Sequence, residues 1–65
     1  MYAARDKSGT ILLSEEEPIR MDCHWKSPTH EYMVMNSKYG DEMFSELKWE
    51  NDPVLIACVI NGIIV

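Results

Sequence analysis

The stretch YAARDKSGTILLS, residues 2–14, decides how this chain begins to fold. Small and apolar residues flank the polar run Asp6-Lys7-Ser8-Gly9, which has the profile of a type I turn closed by a glycine in the left-handed region. A β-hairpin is expected, with strands from YAARD and TILLS. The run EEEP, residues 15–18, ends the second strand, because Pro18 cannot donate to a ladder and suits an edge or a strand's first residue.

Outward from the hairpin, IRMDCHW (residues 19–25) alternates strictly. Ile19, Met21, Cys23 and Trp25 share one face, and Arg20, Asp22 and His24 the other, which predicts a half-buried strand. KSPTH reads as a loop punctuated by Pro28, and EYMVMN as a short apolar strand with Tyr32 and Val34 opposed to Met33 and Met35. In SKYGDEMFSELKW the period changes: Met43, Phe44 and Leu47 recur at helical spacing behind Asp41, a good N-cap, predicting a short helix near 41–48. VLIACVI, between Pro53 and Asn61-Gly62, reads as a central strand buried on both faces, with IIV folding back after the Asn-Gly turn. The expected class is α+β, mostly β: a small antiparallel sheet of about 4–5 strands with one short helix, forming one domain over residues 1–65.

Length makes help valuable. A chain of 65 residues buries only about 60% of the surface its unfolded form exposes, so a disulfide, a metal or a partner chain would add materially to its core. At 46% hydrophobic and 26% charged residues the composition is that of a folded chain. The net charge of −5 and pI of 4.7 disfavour direct binding to nucleic acid or to anionic lipid. The acidic run Glu15, Glu16 and Glu17 could imitate a row of phosphates or simply solvate the surface. The stretch MYAARDKSG is charged where a signal peptide has its apolar core, and two cysteines are too few for a secreted disulfide scaffold, so a cytoplasmic location is expected. The twelve residues from Val54 are fewer than the about 20 needed to span a bilayer.

The chemistry-bearing residues are sparse. Cys23, His24, His30 and Cys58 would supply the four ligands of a tetrahedral zinc site. Their spacing argues against it, since adjacent Cys23 and His24 on a strand point to opposite faces. An apolar, acidic setting would also keep either thiol protonated and inert. The glycines stand in isolated turns rather than in a phosphate loop, and no nucleophile triad or interleaved aromatic and basic set occurs. No enzymatic activity and no cofactor are expected. The remaining signal is recognition: two Trp, three Tyr and five Met are adaptable contact makers. Trp25, Met21 and Phe44 are assigned to the core by their pattern positions. Tyr39, beside Gly40, is the aromatic expected at the surface, and with Glu15, Glu16 and Glu17 it forms the candidate partner contact.

YAARDKSGTILLSEEEPIR and FSELKWENDPVLI together resemble a group of small, uncharacterised proteins of bacteriophages, prophages and gut bacteria. Their pattern runs ARDKxGxLxL early and FxxxxWExxP late. Ala4-Arg5-Asp6-Lys7, Gly9, Leu13, Pro18, Phe44, Trp49-Glu50 and Pro53 fit it, over about half the chain, while Met21 to Tyr39 stay unmatched. The resemblance implies a compact β-rich fold and a viral or mobile-element origin, and it brings no catalytic or binding residues. This chain departs from it by ending on a more apolar segment.

The expected function is a non-enzymatic interaction protein of a phage or mobile element, binding a host protein or sequestering a small ligand, for example in counter-defence. Self-association into a dimer or larger assembly is expected through Leu55, Ile56, Val59, Ile60, Ile63 and Ile64. The alternatives are a structural or accessory virion protein and a small zinc protein using Cys23, His24, His30 and Cys58.

Overall fold

A computed structural model of the chain describes residues 1–56 and the backbone of 59–60 and 63–64. The first hairpin forms as its turn chemistry dictates. Strands β1 (Tyr2–Arg5) and β2 (Ile11–Ser14) pair antiparallel with Arg5 opposite Ile11. The Gly9 N–H donates to the Asp6 carbonyl at 2.9 Å, and the Asp6 N–H to the Thr10 carbonyl at 2.7 Å. Gly9 has φ +99, a region that only glycine enters without strain.

The hairpin is the centre of a four-stranded antiparallel sheet. β5 (Tyr32–Met35) pairs with β2, β6 (Val54–Leu55) pairs with β1, and the order is β5-β2-β1-β6. Together with one short helix this is an α+β, mostly β fold. The sheet is covered on both sides, which explains why all four residues of β2 are buried. On one face Ala3, Ile11, Leu13 and Leu47 form a cluster, joined by Met35, Phe44 and Ile56. On the other, Ala4 and Leu12 pack against Trp25, with Trp49 beside it. The chain thus passes from one face to the other between Leu47 and Trp49.

Trp25 arrives on a second, small hairpin, where the sequence reading needs correction. Residues 19–25 are not one half-buried strand: β3 (Ile19–Arg20) and β4 (Trp25–Lys26) pair antiparallel around Met21 to His24. Ile19 and Met21 are therefore exposed, as is Cys23, and Met21 does not join the core. Tertiary hydrogen bonds outweigh the alternation. The Asp6 carboxylate accepts the Trp25 N–H at 2.8 Å, the Lys7 N–H donates to the Cys23 carbonyl at 3.1 Å, and Trp25 Nε1–H donates to the Arg5 carbonyl at 3.0 Å. The second hairpin is tied to the turn of the first.

The helix also lies earlier than its spacing predicts. α1 spans Ser37–Met43, and its N-cap is Asn36, whose side chain accepts the Tyr39 N–H at 3.1 Å, rather than Asp41. Gly40 sets this position. A Cβ there would lie 2.5 Å from Ile11 Cγ1, so the helix rests on the sheet at a point where only glycine fits. Gly40→Ala should therefore lower stability by about 1–3 kcal/mol through overpacking, read as the midpoint shift in urea; an unchanged midpoint would show that Ile11 yields freely.

A further correction concerns the last segment. Val54 and Leu55 form an edge strand and are exposed, not a central strand buried on both faces. β7 (Val59–Ile60) and β8 (Ile63–Ile64) pair antiparallel as a separate two-stranded unit, with Ile60 opposite Ile63. The expected Asn61-Gly62 turn itself lies outside the described residues.

Candidate functional site

The sheet's two edge strands differ. β6 is only two residues long, whereas β5 offers four, and among the described residues nothing pairs with its outer side. Natural edge strands are usually blunted by Lys, Pro, a bulge or short length. Tyr32-Met33-Val34-Met35 has none of the first three, and Tyr32, Met33 and Val34 are 51%, 62% and 62% exposed.

Backbone direction along β5 follows from its ladder. The Glu15 N–H donates to the Glu31 carbonyl at 3.1 Å, and hydrogen-bonded pairs recur at every second residue of an antiparallel pair. The Met33 and Met35 groups accordingly face Leu13 and Ile11 of β2. Those of Tyr32 and Val34 face outward.

Helix α1 extends this edge into a surface. On the Met33 side, Met33, Met35, Asn36, Tyr39 and Met43 surround a pocket of about 400 Å3 floored by Leu13. Tyr39 is 57% exposed and Met43 46%. Tyr39 thus stands at the surface as expected, on a helix rather than in a loop, with methionines beside it. The helix is held by Arg5: its guanidinium donates to the carbonyls of Gly9 at 2.9 Å, Phe44 at 3.0 Å and Leu47, and meets the Asp41 carboxylate at 2.9 Å. One side chain thereby ties the first turn to the end of α1 and fixes the angle at which Tyr39 and Met43 are presented.

The other expected contacts are placed as follows. Glu15, Glu16 and Glu17 are exposed in the turn after β2, and Glu15 adjoins Glu31 at the start of β5. They therefore flank one end of the apolar strip, and Tyr39 the other. Leu55 is 71% exposed, whereas Ile56 packs against the Ile11 and Leu13 cluster. The side chains of Val59, Ile60, Ile63 and Ile64 lie outside the described residues, as does Cys58. Cys23, His24 and His30 are exposed, and among the described residues no three His, Cys, Asp or Glu side chains gather as a metal site. No described helix is long and apolar enough to cross a membrane.

Sequence reasoning singled out Tyr39 as exposed but not Tyr32, Met33, Val34 or Met43, which are exposed as well. The available signal was a four-residue apolar run without Lys, Pro or Gly, in a segment that alternates apolar residues on both faces. Comparison with models of protein families, with curated proteins and with solved structures finds no match.

Proposed function

We propose that this chain is a non-enzymatic interaction protein that binds another protein through the apolar surface formed by Met33, Tyr39 and Met43. The observation that carries the reading is the concentration of large exposed apolar side chains on β5 and α1, beside two central strands, β1 and β2, that are covered on both faces. Rigid aromatic and adaptable thioether groups around a shallow pocket suit protein recognition. The acidic turn Glu15 to Glu17 beside it favours a partner with a basic rim.

The resemblance to phage and prophage proteins supports a host bacterial protein as the partner and the host cytoplasm as the place of action. Self-association belongs to the same reading, since both edge strands of the sheet carry exposed apolar residues, Leu55 on β6 at 71% and Met33 on β5 at 62%.

The double variant Tyr39→Ala, Met43→Ser tests it. Both positions are exposed, so the fold should persist by circular dichroism. A host protein captured from bacterial lysate, then purified, should bind the wild type stoichiometrically and the variant at least about tenfold more weakly. Equal binding by the variant, or no stoichiometric partner, would refute the assignment of this surface.

A further inference from the structure

We infer that β5 pairs with the β5 of a second copy of this chain, antiparallel about a two-fold axis at Met33, so that the two sheets join into one. This rests on the proposal that the chain self-associates and assigns the contact to β5, at the opposite edge of the sheet from Leu55.

Backbone parity selects the register. Only Tyr32 and Val34 present outward N–H and C=O groups within β5. A two-fold at Met33 sets Tyr32 against the partner's Val34 and Val34 against the partner's Tyr32, so both pairs exchange hydrogen bonds. A two-fold between Met33 and Val34 would oppose outward groups to inward ones and form none.

The neighbouring permitted registers are worse. A two-fold at Val34 sets Tyr32 against the partner's Asn36, whose carbonyl already accepts the Gly40 N–H at 2.9 Å and whose side chain caps α1. A two-fold at Tyr32 makes the two Glu31 carboxylates diagonal neighbours on one face, a like-charge contact that opposes pairing. At Met33, Glu31 instead faces the partner's Met35.

Side chains agree with this choice on both faces. On one, Tyr32 lies beside the partner's Val34, twice, an aromatic and β-branched pairing that stabilises sheets. On the other, Met33 meets the partner's Met33 at the axis, and the two pockets bordered by Tyr39 and Met43 become one apolar surface. The exposed Tyr32 and Val34 are covered by one symmetric contact, and Met33 stays part of the apolar surface that carries Tyr39 and Met43.

The test combines hydrogen exchange with sedimentation. The interface is small, so the dimer fraction should rise across ~10 μM to ~1 mM. Over that range the Tyr32 and Val34 amides should gain at least about tenfold protection, while Met33 and Met35, already bonded to β2, gain little. Val34→Pro removes an outward N–H without touching the β2 ladder and should give a folded monomer, whereas Leu55→Lys should leave the dimer intact. Protection that does not depend on concentration, or a dimer that survives Val34→Pro and dissociates with Leu55→Lys, would overturn the inference. The second of these outcomes would leave self-association standing through the C-terminal strands. Where Val34→Pro fails to fold, the concentration dependence of the two wild-type amides decides.

Discussion

Arg5→Ala should cost about 3–5 kcal/mol, a large share of the roughly 3–10 kcal/mol expected for a domain of this size. The Arg5 side chain is only 11% exposed, and its guanidinium satisfies the carbonyls of Gly9, Phe44 and Leu47. Truncation leaves three partly buried acceptors without that donor, and each lost partner costs about 1–3 kcal/mol. The ion pair with Asp41 is a minor part of this. Asp41 is 70% exposed, so Asp41→Ala should cost less than about 1 kcal/mol. Arg5→Lys should recover little, because an ammonium is a compact point charge and these acceptors need a planar fork. Urea unfolding followed by far-ultraviolet circular dichroism measures all three. An Arg5→Ala variant within 1 kcal/mol of wild type would mean that water replaces the guanidinium without loss.

Trp25→Ala should be of similar size, about 3–5 kcal/mol, from the lost apolar burial and the cavity left over Ala4 and Leu12. Arg20 depends on the same ring. Its guanidinium lies 4.3 Å from the Trp25 ring centroid and 4.6 Å from that of Trp49, while donating to the Trp49 and Asn51 carbonyls. Removing Trp25 therefore frees the second hairpin and loosens residues 49–51 together. Trp25→Phe separates the components: it keeps most of the ring and deletes the Nε1–H bond to the Arg5 carbonyl, so only about 1–2 kcal/mol should be lost. Calorimetric melting would record the pair, and an equal loss for Phe and Ala would assign the effect to the hydrogen bond instead of the packing.

Arg5 also marks the limit of what the sequence makes legible. The first hairpin can be read directly, since Asp6 to Gly9 carry their turn chemistry locally and Gly9 is needed at φ +99. The partners of Arg5 lie near residues 41–47, and nothing adjacent to it announces them. The alternation of residues 19–25 misleads because apolar Met21 and Cys23 stand in a turn, fixed by the Lys7 N–H donating to the Cys23 carbonyl and the Trp25 N–H donating to the Asp6 carboxylate. Asp41 and Asn36 are comparable caps by residue type, and the choice falls to Asn36 because Gly40 alone lets the helix meet Ile11. Tyr39 could be expected at the surface from its polar, glycine-flanked context. That β5 forms an edge could not, because strand order is a property of the assembled sheet and each strand's own pattern is nearly the same wherever it sits.

The placement of Trp25 and Trp49 on a single face has an optical consequence. They are the chain's two tryptophans, their rings 6.0 Å apart in an edge-to-face arrangement with Arg20 against both. Intrinsic emission from this protein therefore reports on the layer formed by the second hairpin and is blind to the helix side, where Tyr39 and Met43 are exposed. A ligand docking there would leave the tryptophan spectrum unmoved, and an unfolding curve followed by fluorescence would coincide with one followed by circular dichroism only when both layers detach from the sheet in one cooperative step.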